Sequence, residues 1–226
     1  MAMPRLGAHY DQTWPCKLVH NFPNIEFIDK SRRASTSERL VSDGAGAGDP
    51  VRSADLLEYY SPDFVITQVG ITDCAPRLFK RRGFLSYVFH FSPQCVTDLL
   101  IKLLKRYRGR KEKYAYVSPE LFRSNWAQYF ERCRNYHVQV FCILIGLPAR
   151  EFILKSPNIL TSITKYNLIL ERLANEYENV HCITPFSQNE IEEIALDEFH
   201  VDAIGHSIIA DKLIREIDTF YKFSAQ

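Results

Sequence analysis

Four short runs of apolar, β-branched character punctuate the chain: IEFID (25–29), DFVITQVG (63–70), VQVFCILIG (138–146) and NVHCIT (179–184). Apolar at nearly every position and of strand length, they predict strands buried on both faces of a sheet. Between them apolar residues recur at intervals of three and four, the period of a helix with one buried face. Three such stretches come after Ser-Pro pairs, Ser92-Pro93, Ser118-Pro119 and Ser156-Pro157, where serine can cap and proline fits the first turn without losing a hydrogen bond. Another helix is expected to start at Thr13-Trp14-Pro15, and a last one runs from about Asp202 with Ile204, Ile208, Ile209, Leu213 and Ile217 facing inward. Helices that separate strands imply parallel pairing, and so an α/β layered sheet.

The 226 residues suit one domain, 1–226, and 46% hydrophobic with 24% charged residues is an ordinary globular balance. A net charge of +1 argues against a nucleic-acid binder that works by counterion release. The longest apolar stretch, VQVFCILIGL, is too short to span a membrane, and the first residues hold no apolar signal core, so a cytoplasmic protein is expected. Six cysteines are scattered without a CxxC pair and read as reduced thiols. VSDGAGAGDPVRS (41–53) comes after a helix-like segment rather than a strand, so its glycines read as a surface loop and not as a phosphate cradle.

Chemistry concentrates in two stretches. In LDEFHVDAIGHSIIADKL (196–213), Asp197 and His200 lie three apart in a loop ahead of the last helix. An aspartate accepting from one imidazole nitrogen fixes the tautomer and leaves the other nitrogen to take a proton from a hydroxyl nucleophile. In SPDFVITQVGITDCAPR (61–77), a strand ends at Gly70 and turns through Ile71, Thr72 and Asp73. Residues at the carboxyl ends of parallel strands stand at the mouth of a site, and donors of such a turn could face a developing oxyanion. Just beyond, Arg77, Lys80, Arg81 and Arg82 could hold an anionic part of a substrate. The other basic run, KLLKRYRGRKEK (102–113), reads as a solvated helix end. His200, Asp202 and His206 are weighed as metal ligands, but Asp202 sits where an N-cap belongs and His206 a turn inside the helix, so no metal is expected. Tyr166 reads as core, Asn167 as surface, and Trp14, Trp126, Phe89 and Phe91 as core or pocket wall.

A strand ending G-x-x-D, together with D-x-x-H-x-x-x-x-G-H opening the final helix, resembles the SGNH (GDSL-type) hydrolase family over most of the chain, from about Thr13 to Phe223. The resemblance implies a flavodoxin-like three-layer α/β/α sandwich, His200 as general base, Asp197 as its partner, and the turn from Gly70 through Thr72 to Asp73 as part of the oxyanion site. It implies no cofactor, and small ester substrates, O-acetylated sugars among them. The G-I-T-D-C-A-P-R variant resembles a branch found near bacterial surface-polysaccharide genes. Three departures stand out, the missing nucleophile block the largest. Thr72 takes the place of the family's oxyanion asparagine, offering one donor instead of two, and the family's second-block glycine is not evident in KSRRASTSERL. The Gly-Asp-Ser block that carries the nucleophile is also absent, and Met1-Ala-Met-Pro-Arg resembles the residues that come directly after that block in this branch. The expectation is a start upstream of Met1 and a central strand, belonging between IEFID and DFVITQVG, that this sequence lacks. The alternatives are a non-catalytic carbohydrate-binding or assembly protein on the same scaffold, or a substitute nucleophile at Ser35 or Ser37.

Overall fold

A computed structural model describes residues 2–41, 56–77 and 114–224. Three of the four apolar runs form strands: β1 (Phe64–Thr67), β2 (Gln139–Ile143) and β3 (Val180–Ile183). They make a parallel sheet in the order β1-β2-β3, with Val65 opposite Val140 and Cys142 opposite Cys182. Seven helices accompany them among the described residues: α1 (Trp14–Asn21), the single turn α2 (Ile71–Cys74), α3 (Pro119–Asn135), α4 (Arg150–Lys155), α5 (Asn158–Glu176), α6 (Gln188–Ile194) and α7 (Ala203–Ser224).

The alternation of side chains along a strand sorts the helices into two layers. Val140 and Cys142 of β2 enter one core with Phe122, Trp126 and Phe130 of α3 and Ile159, Ile163 and Leu170 of α5. Phe141 and Ile143 enter the other with Leu18 of α1, Ile191 of α6 and Ile209, Leu213 and Ile217 of α7. With helices on both faces, the central strand is buried on both sides, which is why its sequence carries no polar alternation. The expected three-layer sandwich is therefore present.

Local signals explain most boundaries. Ser118 caps α3, its hydroxyl accepting from the Leu121 amide at 3.3 Å, and Asp202 caps α7, its carboxylate accepting from Gly205 N at 2.9 Å. Ser156 differs from expectation: its amide closes α4 by donating to Phe152 O, and α5 begins only at Asn158 after Pro157. The predicted helix after Ser92-Pro93, the glycine-rich loop from residue 42 on, and Lys80, Arg81 and Arg82 lie outside the described residues.

One strand expectation is corrected. Residues 25–29 form no strand. Their apolar side chains still pack, Phe27 meeting Phe64 of β1 edge to face at 6.0 Å between ring centroids, yet no backbone hydrogen bond joins this segment to β1. An extended segment becomes a strand only through a ladder, and among the described strands β1 pairs with β2 alone.

Candidate active site

At the carboxyl end of the sheet three segments converge on a small cavity of about 50 Å³. Gln68, Val69, Gly70 and Ile71 come from the end of β1, Ile143 to Gly146 from the end of β2, and Phe199 and His200 from the loop ahead of α7. This is where an open parallel sheet binds ligands.

The loop is shaped by its own aspartate. Asp197 Oδ1 accepts from the amides of Phe199 and His200, both at 3.0 Å, folding the chain back on the carboxylate. Leu196 N donates to His200 O at 2.7 Å and Asp202 N to Ile194 O at 2.9 Å, which pinches the loop shut between α6 and α7. His200 Nδ1 then lies 2.6 Å from Oδ1 and 2.8 Å from Oδ2. The carboxylate can only accept, so Nδ1 carries the proton and Nε2 keeps its lone pair. Burial pushes the imidazole below its ordinary value against the pull of Asp197, and the nearby Arg5 adds to that lowering. Burial would raise the Asp197 carboxyl, but the Phe199 and His200 amides and the imidazole outweigh it and hold it below the usual carboxylate range. A neutral imidazole with a fixed tautomer and an ionised partner is a competent general base.

Gly70 lines the same cavity as His200. Its φ of +145° is one that side chains rarely adopt, and a Cβ there would stand 2.6 Å from Cδ1 and Cγ1 of Ile145. A glycine lets the strand turn sharply into α2 and lets the Ile145 wall close on it.

The remaining residues of the expected site are placed differently. Thr72 is half-buried in α2, and neither it nor Asp73 nor Arg77 lines the cavity. Asp73 is fully buried. Its Oδ1 accepts from Ser37 N at 2.8 Å and from Ser37 Oγ at 2.6 Å, while Asn125 Nδ2 donates to the same hydroxyl at 3.0 Å. Burial pushes the Asp73 carboxyl up to about 6 despite the two bonds from Ser37. Arg77 pairs its backbone with Tyr114 and stacks its guanidinium over the Tyr116 ring at 4.7 Å. Of the two substitute nucleophiles, Ser37 is spent in the Asp73 knot and Ser35 donates to Arg32 O; neither lines the cavity with His200.

His206 is buried, and its Nδ1 accepts from Trp14 N at 3.2 Å, so it caps α1; burial lowers it to about 4. Among the described residues no cluster of three histidine, cysteine or acidic side chains is placed to hold a metal ion, and no helix is long and apolar enough to cross a membrane.

Three contributors carry no local sequence signal strong enough to mark them. Asn125 meets Ser37 from 88 residues away, a distance no local pattern bridges. Asn167, expected on the surface, clamps the Ile145 backbone: Oδ1 accepts from Ile145 N and Nδ2 donates to Ile145 O, both at 2.9 Å. Its one signal is an amide directly after a core tyrosine on an amphipathic helix. Arg5 reaches Asp197 Oδ2 at 3.1 Å across 192 residues.

No family model matches the chain, and no curated protein matches it. Solved structures do share its fold. A catalytic mutant of Axe2, an acetylxylan esterase from Geobacillus stearothermophilus, is 15% identical with a TM-score of 0.57, the match covering 91% of this chain and 80% of that one. The psychrotrophic esterase EstA from a Pseudoalteromonas species is 12% identical with a TM-score of 0.56, covering 96% and 92%. A GDSL-like lipase from Bacteroides thetaiotaomicron is 15% identical with a TM-score of 0.57, covering 91% and 83%. The chain has the fold of these esterases.

Proposed function

We propose that the protein serves as an SGNH-type hydrolase of small carboxylic esters, O-acetylated carbohydrate foremost. The observation that carries this reading is His200, held by Asp197 at 2.6 and 2.8 Å and lining one small cavity together with the glycine turn at Gly70. In the reaction, a serine Oγ attacks the acyl carbonyl while Nε2 of His200 takes its proton, then returns that proton to the departing alcohol. Water repeats the sequence on the acyl-serine and releases the acid. Asp197 stabilises the imidazolium in both halves, and amide donors of the strand-end turn receive the negative oxygen. The cavity suits a short acyl group such as acetyl, its walls being Val69, Ile71, Leu144, Ile145 and Phe199.

No described serine lines the cavity. The reading therefore takes its nucleophile from outside the described residues. That same observation favours the second reading, a carbohydrate-binding or assembly protein that keeps the hydrolase scaffold without its chemistry.

The test uses the protein as its host produces it, with its intact mass measured. Hydrolysis of a chromogenic acetyl ester, a serine adduct with a phosphonate ester, and loss of about 10²- to 10⁴-fold in rate in His200→Ala support the enzyme. A protein that neither turns over the ester nor takes up the phosphonate overturns it in favour of the binding reading.

A further inference from the structure

We propose that Arg5 is a positioning residue for the Asp197–His200 pair, held against it by a tight turn of residues 5–8. The division of labour on the carboxylate points to this. Oδ1 carries the two loop amides and lies 2.6 Å from His200 Nδ1, whereas Oδ2 takes Arg5 Nη1 at 3.1 Å and stands 2.8 Å from the same Nδ1. The guanidinium thus bonds the oxygen that the loop's own backbone amides do not reach.

Arg5 is not a loose surface arginine. Its amide donates to Ala8 O at 2.9 Å and the Ala8 amide donates back to Arg5 O at 3.0 Å, closing a four-residue turn. Gly7 supplies the left-handed position of that turn with φ +90°. Ala8 is fully buried and anchors the turn to the body of the protein. Gly7 also lies so close to Leu196, the residue before Asp197, that a Cβ would fall 2.7 Å from Leu196 Cδ2. The turn therefore seats on the loop twice, by packing at Leu196 and by charge at Asp197.

The arrangement has an electrical consequence for His200. Among the described residues, the charged groups that face it are Asp197 on its own loop and Arg5 on the turn. The walls formed by residues 68–71 and 143–146 bring no charged side chain. Removing Arg5 takes a cation away from the imidazole and leaves His200 as the only cationic partner of the carboxylate among the described residues, and both changes favour the imidazolium.

The role of His200 as base rests on the proposed esterase function, but the titration of its ring does not. The test follows the His200 ring by NMR against pH in the wild type, Arg5→Ala, Arg5→Lys and Gly7→Val. The midpoint is expected to rise in Arg5→Ala. It should rise also in Gly7→Val, which keeps the arginine but forces the turn off Leu196, and it should stay near the wild-type value in Arg5→Lys. An unchanged or lowered midpoint in Arg5→Ala, with an otherwise native spectrum, overturns the proposal; if that variant does not fold, Arg5→Gln decides in its place. Where ester hydrolysis is present, the acid limb of kcat should move with the midpoint while KM stays unchanged. Absence of hydrolysis would sink the esterase reading and leave the midpoint comparison standing.

Discussion

Asp197 and Asp73 both stand at the carboxyl end of the sheet, both accept at least two hydrogen bonds on a single oxygen, and both were expected to belong to one site. Their surroundings drive them apart. Asp197 is exposed, its carboxyl held below the usual range by amides and imidazole that outweigh burial. Asp73 is fully enclosed, and burial overrides the two bonds from Ser37 and lifts it to about 6. Hydrogen bonds to the charged form lower a carboxyl only while water or cations share the charge; once the group is sealed, desolvation dominates. One loop is thus built to hold charge beside a cavity, whereas the other turn is a joint. Asp73 ties the turn after Gly70 to the segment at Ser37, and through Asn125 to α3.

The sharpest way to break this contrast is to neutralise each carboxylate in turn. Asp197→Asn removes the charge that stabilises the imidazolium and disturbs the tautomer, so kcat/KM for an acetyl ester should fall by about 10²- to 10⁴-fold. Asp73→Asn should stay within about 10-fold of wild type, because Asp73 does not line the cavity and its loss costs under about 1.4 kcal/mol of transition-state stabilisation. Equal losses in both variants, measured by steady-state kinetics, would erase the distinction between site and joint.

A second test reads the joint through stability. The folded Asp73 holds its proton up to about pH 6, above its ordinary value of 3.8. Its contribution to stability is therefore complete below about pH 4 and lost as the pH rises through 6, with the full difference on the order of 3 kcal/mol. His206, lowered by burial to about 4, works in the opposite sense: its stability is present above its ordinary 6.5 and is lost as the pH falls through 4. Comparing Asp73→Asn with wild type cancels the histidine. The asparagine variant should gain on wild type between about pH 4 and 7, by up to about 3 kcal/mol in thermal or urea unfolding, and the difference should be flat above that range. A difference that is flat with pH would show that Asp73 is ionised at no cost, and the contrast with Asp197 would fail.

The legible parts of the molecule are those with a local cause. Apolar runs gave β1, β2 and β3, a serine and an aspartate gave the starts of α3 and α7, and the three-residue spacing gave the Asp197–His200 pair. What stayed hidden depends on partners distant in sequence. IEFID has the composition of a strand, yet a strand is defined by its ladder, and residues 25–29 have none with β1. Asp73 looked like a member of the site because it stands three residues after Gly70. Only the fold shows that the intervening turn of α2 carries it inward to Ser37. Arg5 and Asn125 act across 192 and 88 residues, where no sequence spacing is informative.

The smallest effect is expected at Asn167, which belongs to neither aspartate and so calibrates both. Its side-chain amide satisfies Ile145 N–H and C=O just beyond the end of β2, where the chain has left the ladder and the residue is nearly buried. Those two backbone groups would otherwise lack partners, and an unmade buried bond costs about 1 to 3 kcal/mol. Ile145 is also the wall that closes on Gly70, so the clamp fixes one side of the cavity without contacting the Asp197 loop. Asn167→Ala should lower stability by about 1 to 2 kcal/mol and speed hydrogen exchange at the Ile145 amide, and Asn167→Asp, which keeps the acceptor but not the donor, should fall between. The pH dependence of the Asp73→Asn difference should be unchanged in the Asn167→Ala background, since the clamp and the knot share no residue. If it changes, the joint and the cavity wall are one cooperative unit, and Asp73 shapes the site through its neighbour rather than standing apart from it.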